Sequence, residues 1–386
     1  MTDDPLTALI PANFQRSPDR QTATPNERRI LDLVRRSGSI TRADLTRETD
    51  LTAQSISRLV DDLAARGLLQ TGERVTKGRG QPSVAVELVP QAAYTFGVSV
   101  MTDAIAIVLM DFAGSILEHR EVPLVMTPRA AVLETIKRLF TEMMEAQAIK
   151  ISKLFGIGIG ITGFFTAGKS RVNPSEQLED WALVDLDSIL SEAFQLPVWI
   201  DNDGNVAAIG ESLFGVGRRT RNFAYIYIAT GLGGGVVIDG LPIRGAAGNA
   251  GEFTGLLPPA MRKDRPTLEL LRQMLAESGT AFASIAELLS AFDPSWPVID
   301  DWIDRTRQPM SAIISAIAAV NDPDAIVIGG RIPKALAQRL ADESAFYSVP
   351  RRDRERPMPK LLAAETGSDP AAVGAAALPF KMHFFH

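Results

Sequence analysis

The chain contains no cysteine and only 3 histidines among its 386 residues. Disulfide bonds and thiolate metal sites are therefore excluded, and a histidine-rich metal site is not expected. No apolar run approaches the ~18–20 residues that a membrane-spanning helix needs. The N-terminal stretch MTDDPLTALIPANFQ also lacks the basic start of a signal peptide. We therefore expect a cytoplasmic protein with no metal site, no cofactor and no membrane partner.

Positive charge is concentrated near the N-terminus of a chain that is otherwise acidic. The net charge is −6, whereas residues 28–79 hold 11 Arg and Lys against 7 Asp and Glu. A basic segment on an acidic protein suggests a polyanion partner at that end. A chance fluctuation in surface charge explains the charge alone equally well. At 46% hydrophobic residues, the chain can bury the cores of two or three domains.

Residues 25–90 are predicted to form three short helices and a hairpin. Thr24 caps the first helix, and a second is expected over about 42–49. The third begins at the cap Thr52, buries an apolar stripe and ends at Gly67. Three short helices with a tight turn before the third match the helix-turn-helix plan.

The third helix carries short hydrogen-bonding side chains and one arginine on its outward face. Such groups suit base edges and phosphates in a major groove. Strands over 68–71 and 83–89, joined by a basic glycine-rich tip, form a wing that can enter a minor groove. The less favoured alternative is a surface hairpin on a protein-interaction domain. The predicted DNA-binding residues are Arg42, Thr52, Gln54, Ser55, Ser57, Arg58, Lys77 and Arg79.

From Tyr94 onward the pattern changes to the strands and helices of an α/β protein, with helices expected around 186–194, over 205–214 and, at the end, over 370–378. Ligands in such sheets bind at the carboxyl ends of the strands. Three loops lie there, at residues 160–163, 201–203 and 230–235. The glycines of the last loop, TGLGGG, allow backbone N–H groups to approach a phosphate. Glycine-rich turns without a ligand are as common, so this motif alone decides nothing.

Two carboxylates and an amide suit a ligand with several adjacent hydroxyls. Asp203 and Glu252, beside Asn202, accept hydroxyl hydrogens, and the amide both donates and accepts. A sugar offers such hydroxyls. The alternative is a satisfied polar turn with Glu252 at a helix N-terminus.

The order of motifs from about residue 25 to 378 resembles the ROK family of repressors, open reading frames and sugar kinases. After the winged helix come GIGIGITG, DNDGNVAAIGE, ATGLGGGVVIDG, GAAGNAGEFTG and IVIGG. The resemblance implies an α/β fold, with an N-terminal winged helix-turn-helix followed by a two-lobed actin-like ATPase (sugar kinase) fold. The expected divisions are a flexible tail 1–24, a DNA-binding domain 25–90 and a ligand-binding domain 93–380, whose lobe one spans about 93–203 plus 370–380 and whose lobe two spans about 204–369.

The resemblance also implies roles for single residues. Asp203 matches the family's catalytic base, which acts on the sugar hydroxyl that attacks ATP, and Asn202 matches its sugar-binding neighbour. The implied ligand-binding residues are Gly163, Ser175, Asn202, Asp203, Glu252 and Glu269.

The first departure from the family lies in the phosphate loop. Family kinases carry Asp-x-Gly-Gly-Thr, whereas this chain has Ser99-Val100-Met101-Thr102-Asp103. The larger side chains keep backbone N–H groups from a phosphate, and phosphoryl transfer depends on that positioning and on charge neutralisation. We therefore expect no kinase activity and no catalytic residue, with Asp203 retained as a ligand-holding acceptor.

The second departure concerns the family's structural zinc. A histidine of the zinc site is replaced by Gly255, and the following loop 256–267 has no cysteine. No zinc site of that kind can form, and the ligand pocket becomes roomier. The effector is therefore expected to be larger than a hexose, modified, or not a sugar.

These observations predict a sugar-responsive transcriptional regulator, with a repressor of carbohydrate-metabolism genes favoured. Its expected partners are a double-stranded DNA operator, a sugar-like effector and further copies of itself, as a dimer or tetramer. The first alternative is an ATP-dependent sugar kinase with an additional N-terminal domain. The second is a ligand-independent DNA-binding or scaffold protein.

Overall fold

The computed structural model describes residues 22–75, 83–124, 128–166, 171–367 and 369–386. Within these ranges no helix is both long enough and apolar enough to cross a membrane. The predicted wing-tip residues Lys77 and Arg79, and most of the predicted N-terminal tail, lie outside the described residues.

The N-terminal unit has three helices and a three-stranded sheet with the order β1-β3-β2. Thr24 and Glu27 form a capping box at the first helix, where the Thr24 amide donates to Glu27 at 2.7 Å. Thr52 caps the third helix by accepting from the Ser55 amide at 3.2 Å. The elements are α1 (Pro25–Ser37), β1 (Ile40–Thr41), α2 (Arg42–Glu48), α3 (Ala53–Ala65), β2 (Leu69–Val75) and β3 (Ser83–Leu88).

A first five-stranded sheet follows, with the order β10-β7-β4-β5-β6. β4 pairs parallel with β7 and antiparallel with β5, and β10 extends the parallel side. This arrangement places the carboxyl ends of β4, β7 and β10 at one edge. The elements are β4 (Tyr94–Val100), β5 (Ala104–Asp111), β6 (Ile116–Pro123), α4 (Arg129–Ala146), β7 (Leu154–Ile161), β8 (Phe164–Phe165), β9 (Val172–Asn173), α5 (Leu186–Phe194) and β10 (Val198–Asn202).

The second five-stranded sheet has the order β13-β12-β11-β14-β15. Its helices bury one apolar cluster against it, which includes Trp302 and Ile314. The strands are β11 (Phe223–Ile228), β12 (Leu232–Ile238), β13 (Leu241–Ile243), β14 (Ala325–Gly330) and β15 (Lys360–Ala363). The helices are α7 (Leu268–Glu277), α8 (Ile285–Ser290), α9 (Val298–Asn321) and α10 (Lys334–Glu343).

The helices α6 (Asp203–Phe214) and α11 (Pro370–His383) pack against each other, and each of them contacts strands of both sheets. Small residues bring their backbones close. A Cβ on Gly374 would lie 1.7 Å from the carbonyl oxygen of Val206. A Cβ on Gly158 of β7 would lie 1.8 Å from a backbone oxygen of α11. Glycine at these positions is therefore a packing requirement of the crossing.

The ends of both helices differ from the sequence prediction. The closing helix is expected to end at 378, but it continues through Pro379 to His383. Proline removes one helical hydrogen bond, yet the following residues, including Phe380 and Phe385, are fully buried, and this burial favours the continued helix. α6 starts at Asp203, two residues before the expected Asn205, because Asn202 caps it.

Candidate functional site

A cavity of about 170 Å³ lies at the carboxyl ends of β7 and β10. At about 30 Å³ for each water in the liquid, its volume equals about six waters and suits one small molecule. A larger cavity of about 490 Å³ adjoins it, and Arg331 lines both. The smaller cavity is lined by, among others, Thr162, Gly163, Asn202, Asp203, Tyr227, Thr230, Glu252 and Arg331.

Asn202 joins two walls of the smaller cavity. Its Oδ1 accepts from the amides of Gly204 at 2.8 Å and Asn205 at 3.4 Å, which caps α6. Its Nδ2 donates to the carbonyl of Gly163 at 2.9 Å. Because an amide nitrogen carries two hydrogens, one N–H remains for a ligand.

Asp203 is the first residue of α6, and Glu252 lies close enough to act on it electrostatically. Burial raises the pKa of Asp203 to about 6, the Gly204 amide opposes this by hydrogen bonding, and the Glu252 charge adds to the rise. Burial also raises the pKa of Glu252. At neutral pH the Asp203 carboxylate can thus accept a hydroxyl hydrogen, and a proton binds to it readily.

A buried ion pair between Asp201 and Arg244 lies directly behind Asn202 and Asp203, and the sequence analysis did not predict it. Asp201 accepts from Arg244 Nε at 2.8 Å, from Asn205 Nδ2 at 3.2 Å and from the Asn202 amide at 2.8 Å. The Arg244 guanidinium also lies 5.7 Å from the ring centre of Phe165. Arg244 stands 43 residues after Asp201, so no local pattern linked them.

A second missed residue, Asn249, connects the loop after β13 to β8. Its Oδ1 accepts from the Phe165 amide at 2.7 Å, and its Nδ2 donates to the Phe165 carbonyl at 2.8 Å. The signal was present, because Asn249 lies within the motif GAAGNAGEFTG. The two bonds hold the Glu252 loop against the first sheet's loops.

Two predicted ligand residues do not line this cavity. Glu269 lies on α7 and accepts from Arg272 Nε and Gln273 Nε2 of its own helix, both at 2.9 Å. Ser175 is exposed and precedes the 3-10 helix Glu176–Trp181. The structure therefore brings together Gly163, Asn202, Asp203 and Glu252, but not Ser175 and Glu269.

The stretch that departs from the phosphate loop lies beside the cavity. Met101 and Thr102 line it, and the Thr102 hydroxyl contacts the Thr230 hydroxyl at 3.2 Å. Ser99 is fully buried, and within the described residues its Oγ has no hydrogen-bond partner.

Two glycines of TGLGGG, Gly234 and Gly235, have a packing role in the structure, and a Cβ on Gly235 would lie 2.7 Å from the Cβ of Ala208 in α6. Gly233 to Gly235 belong to β12 and not to the turn. A Cβ on Gly204 of α6 would lie 2.7 Å from the Gly234 amide nitrogen. Gly204, Gly234 and Gly235 thus allow the first turn of α6, which carries Asp203, to rest directly on β12.

The start of α3 presents an exposed polar face. Thr52 and Gln54 are exposed, and 72% of the Arg58 side chain is accessible, with only a 3.7 Å approach to Asp62. Arg42 already has partners, because it donates to Ser57 Oγ at 2.8 Å and to Asp61 Oδ1 at 2.5 Å. Arg58 is therefore the predicted DNA-binding arginine with the greater freedom.

Two known families match successive parts of the chain. Residues 95–262 match the model of the ROK family, and residues 23–80 match the MarR family. The chain contains a ROK family domain and a MarR-type winged helix. The predicted fold class, α/β with an N-terminal winged helix and a ROK fold, is confirmed.

Individual ROK relatives include regulators and kinases. The xylose repressor of Caldicellulosiruptor bescii is 30% identical over 234 residues, which cover 59% of this chain and 57% of that protein. A solved ROK family transcriptional regulator, a homolog of the E. coli MLC protein, matches with a TM-score of 0.62 at 22% identity, covering 92% and 96% of the two chains. A ROK family glucokinase from Streptomyces griseus, in complex with glucose and AMPPNP, matches with a TM-score of 0.58 at 24% identity, covering 74% and 99%. The two structural matches support the ROK fold.

Metal-ligating side chains do not gather in the part of the chain that the structure describes. No group of three or more His, Cys, Asp or Glu residues there is arranged to hold a metal ion.

Proposed function

We propose that this ROK protein is a transcriptional regulator that represses carbohydrate-metabolism genes in response to a sugar or sugar derivative. One observation carries the proposal: a single chain joins an exposed polar helix of a winged helix to a cavity lined by Asn202, Asp203 and Glu252. The xylose repressor among its relatives supports the same function. A regulator of this kind works beside the chromosome, in the cytoplasm.

On the DNA side, Thr52, Gln54 and Arg58 lie on the face of α3 that is free to enter a major groove. A symmetric homodimer would place two α3 helices in grooves about 34 Å apart on a palindromic operator. A tetramer would pair two such dimers. We also assign phosphate or minor-groove contacts to Lys77 and Arg79 from the sequence.

On the ligand side, the cavity offers acceptors and a donor for adjacent hydroxyls. Glu252→Gln and Asp203→Asn are expected to weaken sugar binding, because each removes a charged acceptor. Glu269→Gln is the matched control that tests the assignment taken from the family resemblance. Since Glu269 is bonded within α7, unchanged affinity in that variant would remove it from the ligand set.

A sugar kinase is the second candidate function. Its support is the Asp203 pKa of about 6, which suits a general base, and the glucokinase of the same fold. Against it stand Met101 and Thr102, whose side chains occupy the positions of phosphate-loop glycines. ATP turnover with a sugar panel that disappears in Asp203→Asn would establish the kinase.

The decisive test is a fluorescence anisotropy titration of DNA from upstream of the protein's own gene, at fixed salt. Salt is fixed because phosphate contacts alone make affinity steeply salt-dependent. Tight, competitor-resistant binding that one sugar changes would support the proposal and name the effector class. Tight binding that no sugar changes would favour a ligand-independent regulator. Binding no better than to random DNA would favour the kinase and call for the turnover assay.

A further inference from the structure

One buried helix, α6, connects the candidate sugar cavity to the winged helix. Its N-terminal end carries Asn202 as cap and Asp203 as first residue, and both line the cavity. Its last turn reaches α1, because Arg35 Nη1 donates to the carbonyl of Leu213. With a rise of 1.5 Å per residue, this helix spans about 18 Å.

Arg35 is built into that junction. Its side chain is only 5% exposed and pairs with Asp32 of the same helix at 2.7 Å. Its guanidinium also lies 5.7 Å from the ring centre of Phe214 and 5.4 Å from that of Phe385. A buried, paired and stacked arginine holds α1 at one position on the end of α6.

The end of α11 supplies a second contact for α1. Arg28 Nη2 donates to the carbonyls of Lys381 and Phe385, both at 2.8 Å, and its Nε donates to the latter at 3.0 Å. The Ala23 amide donates to the His383 carbonyl at 2.9 Å. α1 is therefore fixed to the C-terminal ends of both crossing helices.

The opposite ends of these two helices border the two cavities. Asp203 begins α6 at the smaller cavity, and Asp369, directly before α11, lines the larger one. The helices touch in between, where Gly210 and Gly374 leave no room for a side chain. Closely packed helices move as rigid bodies and do not bend to absorb a displacement.

We propose that α6 transmits occupancy of the cavity to the winged helix, and that Arg35 is the residue through which α1 follows its movement. The inference rests on the proposed function. A ligand that binds the two lobe arrangements with different affinity shifts α6, and α1 moves with it. Coupling of this kind changes DNA affinity by about 5- to 150-fold.

The test locks the cavity in its observed arrangement without any effector. Because the chain contains no native cysteine, two introduced thiols can react only with each other or with the added reagent. Thr102 and Thr230 both line the cavity, and their hydroxyls are 3.2 Å apart, so Thr102→Cys/Thr230→Cys places two thiols within bridging range. A disulfide or a short bifunctional thiol reagent locks them. Locked and reduced forms are then compared by amide hydrogen exchange over residues 22–37 and 380–386 and by anisotropy on upstream DNA.

We expect locking to change exchange in both segments and to change DNA affinity at least about fivefold. Adding Arg35→Ala should leave DNA binding in place but abolish its response to the lock. Arg28→Ala, which removes the contacts to the end of α11, is the second uncoupling variant in case the first does not fold. Arg29→Ala is the matched control and should respond like the parent, since among the described residues this neighbour forms only an exposed ion pair with Asp50.

The outcomes separate this inference from the proposed function. If locking changes exchange in α1 while the protein binds no DNA, the coupling stands and the regulator proposal fails. If locking changes neither exchange nor DNA affinity, the coupling is overturned. A full response to the lock in both Arg28→Ala and Arg35→Ala would also overturn it, because α1 would then follow the cavity by another route.

Discussion

Arg331, which directly follows β14 of the second sheet, forms an ion pair with Asp103 in the turn between β4 and β5 of the first sheet. Its Nη1 lies 2.6 Å from Asp103 Oδ1, and its Nη2 lies 3.3 Å from Glu121 Oε1. Asp103 Oδ2 in turn accepts from the Ala286 amide at 2.9 Å. The turn after β4, which departs from the family's phosphate loop, thus bonds directly to the second sheet and its helices.

Removing one partner of this pair should loosen the domain. The Arg331 and Asp103 side chains are only 5% and 9% exposed, and breaking such a buried pair costs about 3–5 kcal/mol. We expect Arg331→Met and Asp103→Asn each to lower the free energy of unfolding by about that amount in urea titrations. The double variant should lose much less than the sum.

The control is the exposed pair of Arg219 and Glu365, with side chains 64% and 40% accessible. Arg219→Met should leave the free energy of unfolding close to that of the parent, because exposed ion pairs are screened by solvent. Strictly additive losses for Asp103 and Arg331 would show that the two residues stabilise the domain independently.

The raised pKa of Asp203 predicts a pH-dependent stability. Its ordinary value of 3.8 rises to about 6 in the folded protein, so between these values the folded state holds a proton that the unfolded chain releases. Stability therefore falls as pH rises through this window, and the loss is complete above about pH 6. For a rise of about two pKa units the loss is on the order of 3 kcal/mol.

Asp203→Asn removes this titration. We expect the unfolding free energy of the variant minus that of the parent to grow from about pH 4 to pH 6 and to stay constant above. The Glu252 charge contributes to the raised pKa of Asp203. Glu252→Gln in the parent should therefore lower that pKa and narrow the pH range over which stability falls. A difference that is flat over this range would mean that Asp203 titrates at its ordinary pKa.

Local patterns predicted most elements, because helix caps and apolar stripes depend on residues that are close in sequence. The helices of the winged helix were predicted from the caps Thr24 and Thr52 and from the apolar periodicity. The predicted helix 186–194 agrees with α5. Pro379 misled the prediction, since burial of the residues after it depends on packing against distant segments. Ends set by tertiary contacts could not be predicted from neighbouring residues.

In the cavity, too, residues within local motifs were predicted and residues held by long-range contacts were not. Asp203 and Glu252 lie within recognisable motifs and line one cavity. Arg331 and Arg244 were not predicted, because their partners lie 228 and 43 residues away. Long-range ion pairs carry no signature in a single sequence.

Arg58 should contribute directly to DNA affinity. Its side chain is 72% exposed on α3, and loss of one base or phosphate contact costs about 1–3 kcal/mol. Arg58→Ala is expected to weaken operator binding about tenfold or more and, for a phosphate contact, to reduce the salt slope by about 1. Arg138→Ala removes the same charge from an exposed position on α4 and should bind DNA like the parent.

Asp61→Asn should strengthen DNA binding. Asp61 holds the Arg42 guanidinium at 2.5 Å, and it adds negative charge next to the proposed reading face. The substitution releases Arg42 and removes repulsion of the phosphates. Anisotropy titrations at several salt concentrations should show tighter binding and a steeper salt dependence. Weaker binding would indicate that the Arg42–Asp61 pair positions α3 for the groove.

The crossing of α6 and α11 should tolerate no added methyl group. A Cβ on Gly374 would lie 1.7 Å from the Val206 carbonyl oxygen, and this backbone atom cannot move without shifting α6. Overpacking usually costs about 1–3 kcal/mol. We expect Gly374→Ala to lower the free energy of unfolding, measured in urea titrations, by at least the upper end of that range. Gly255→Ala is the matched control, since its added Cβ would meet nothing within 4 Å, and its stability should equal that of the parent. Equal stability of the Gly374→Ala variant would mean that the two helices separate at little cost, and a rigid connection from the cavity to α1 would lose its basis.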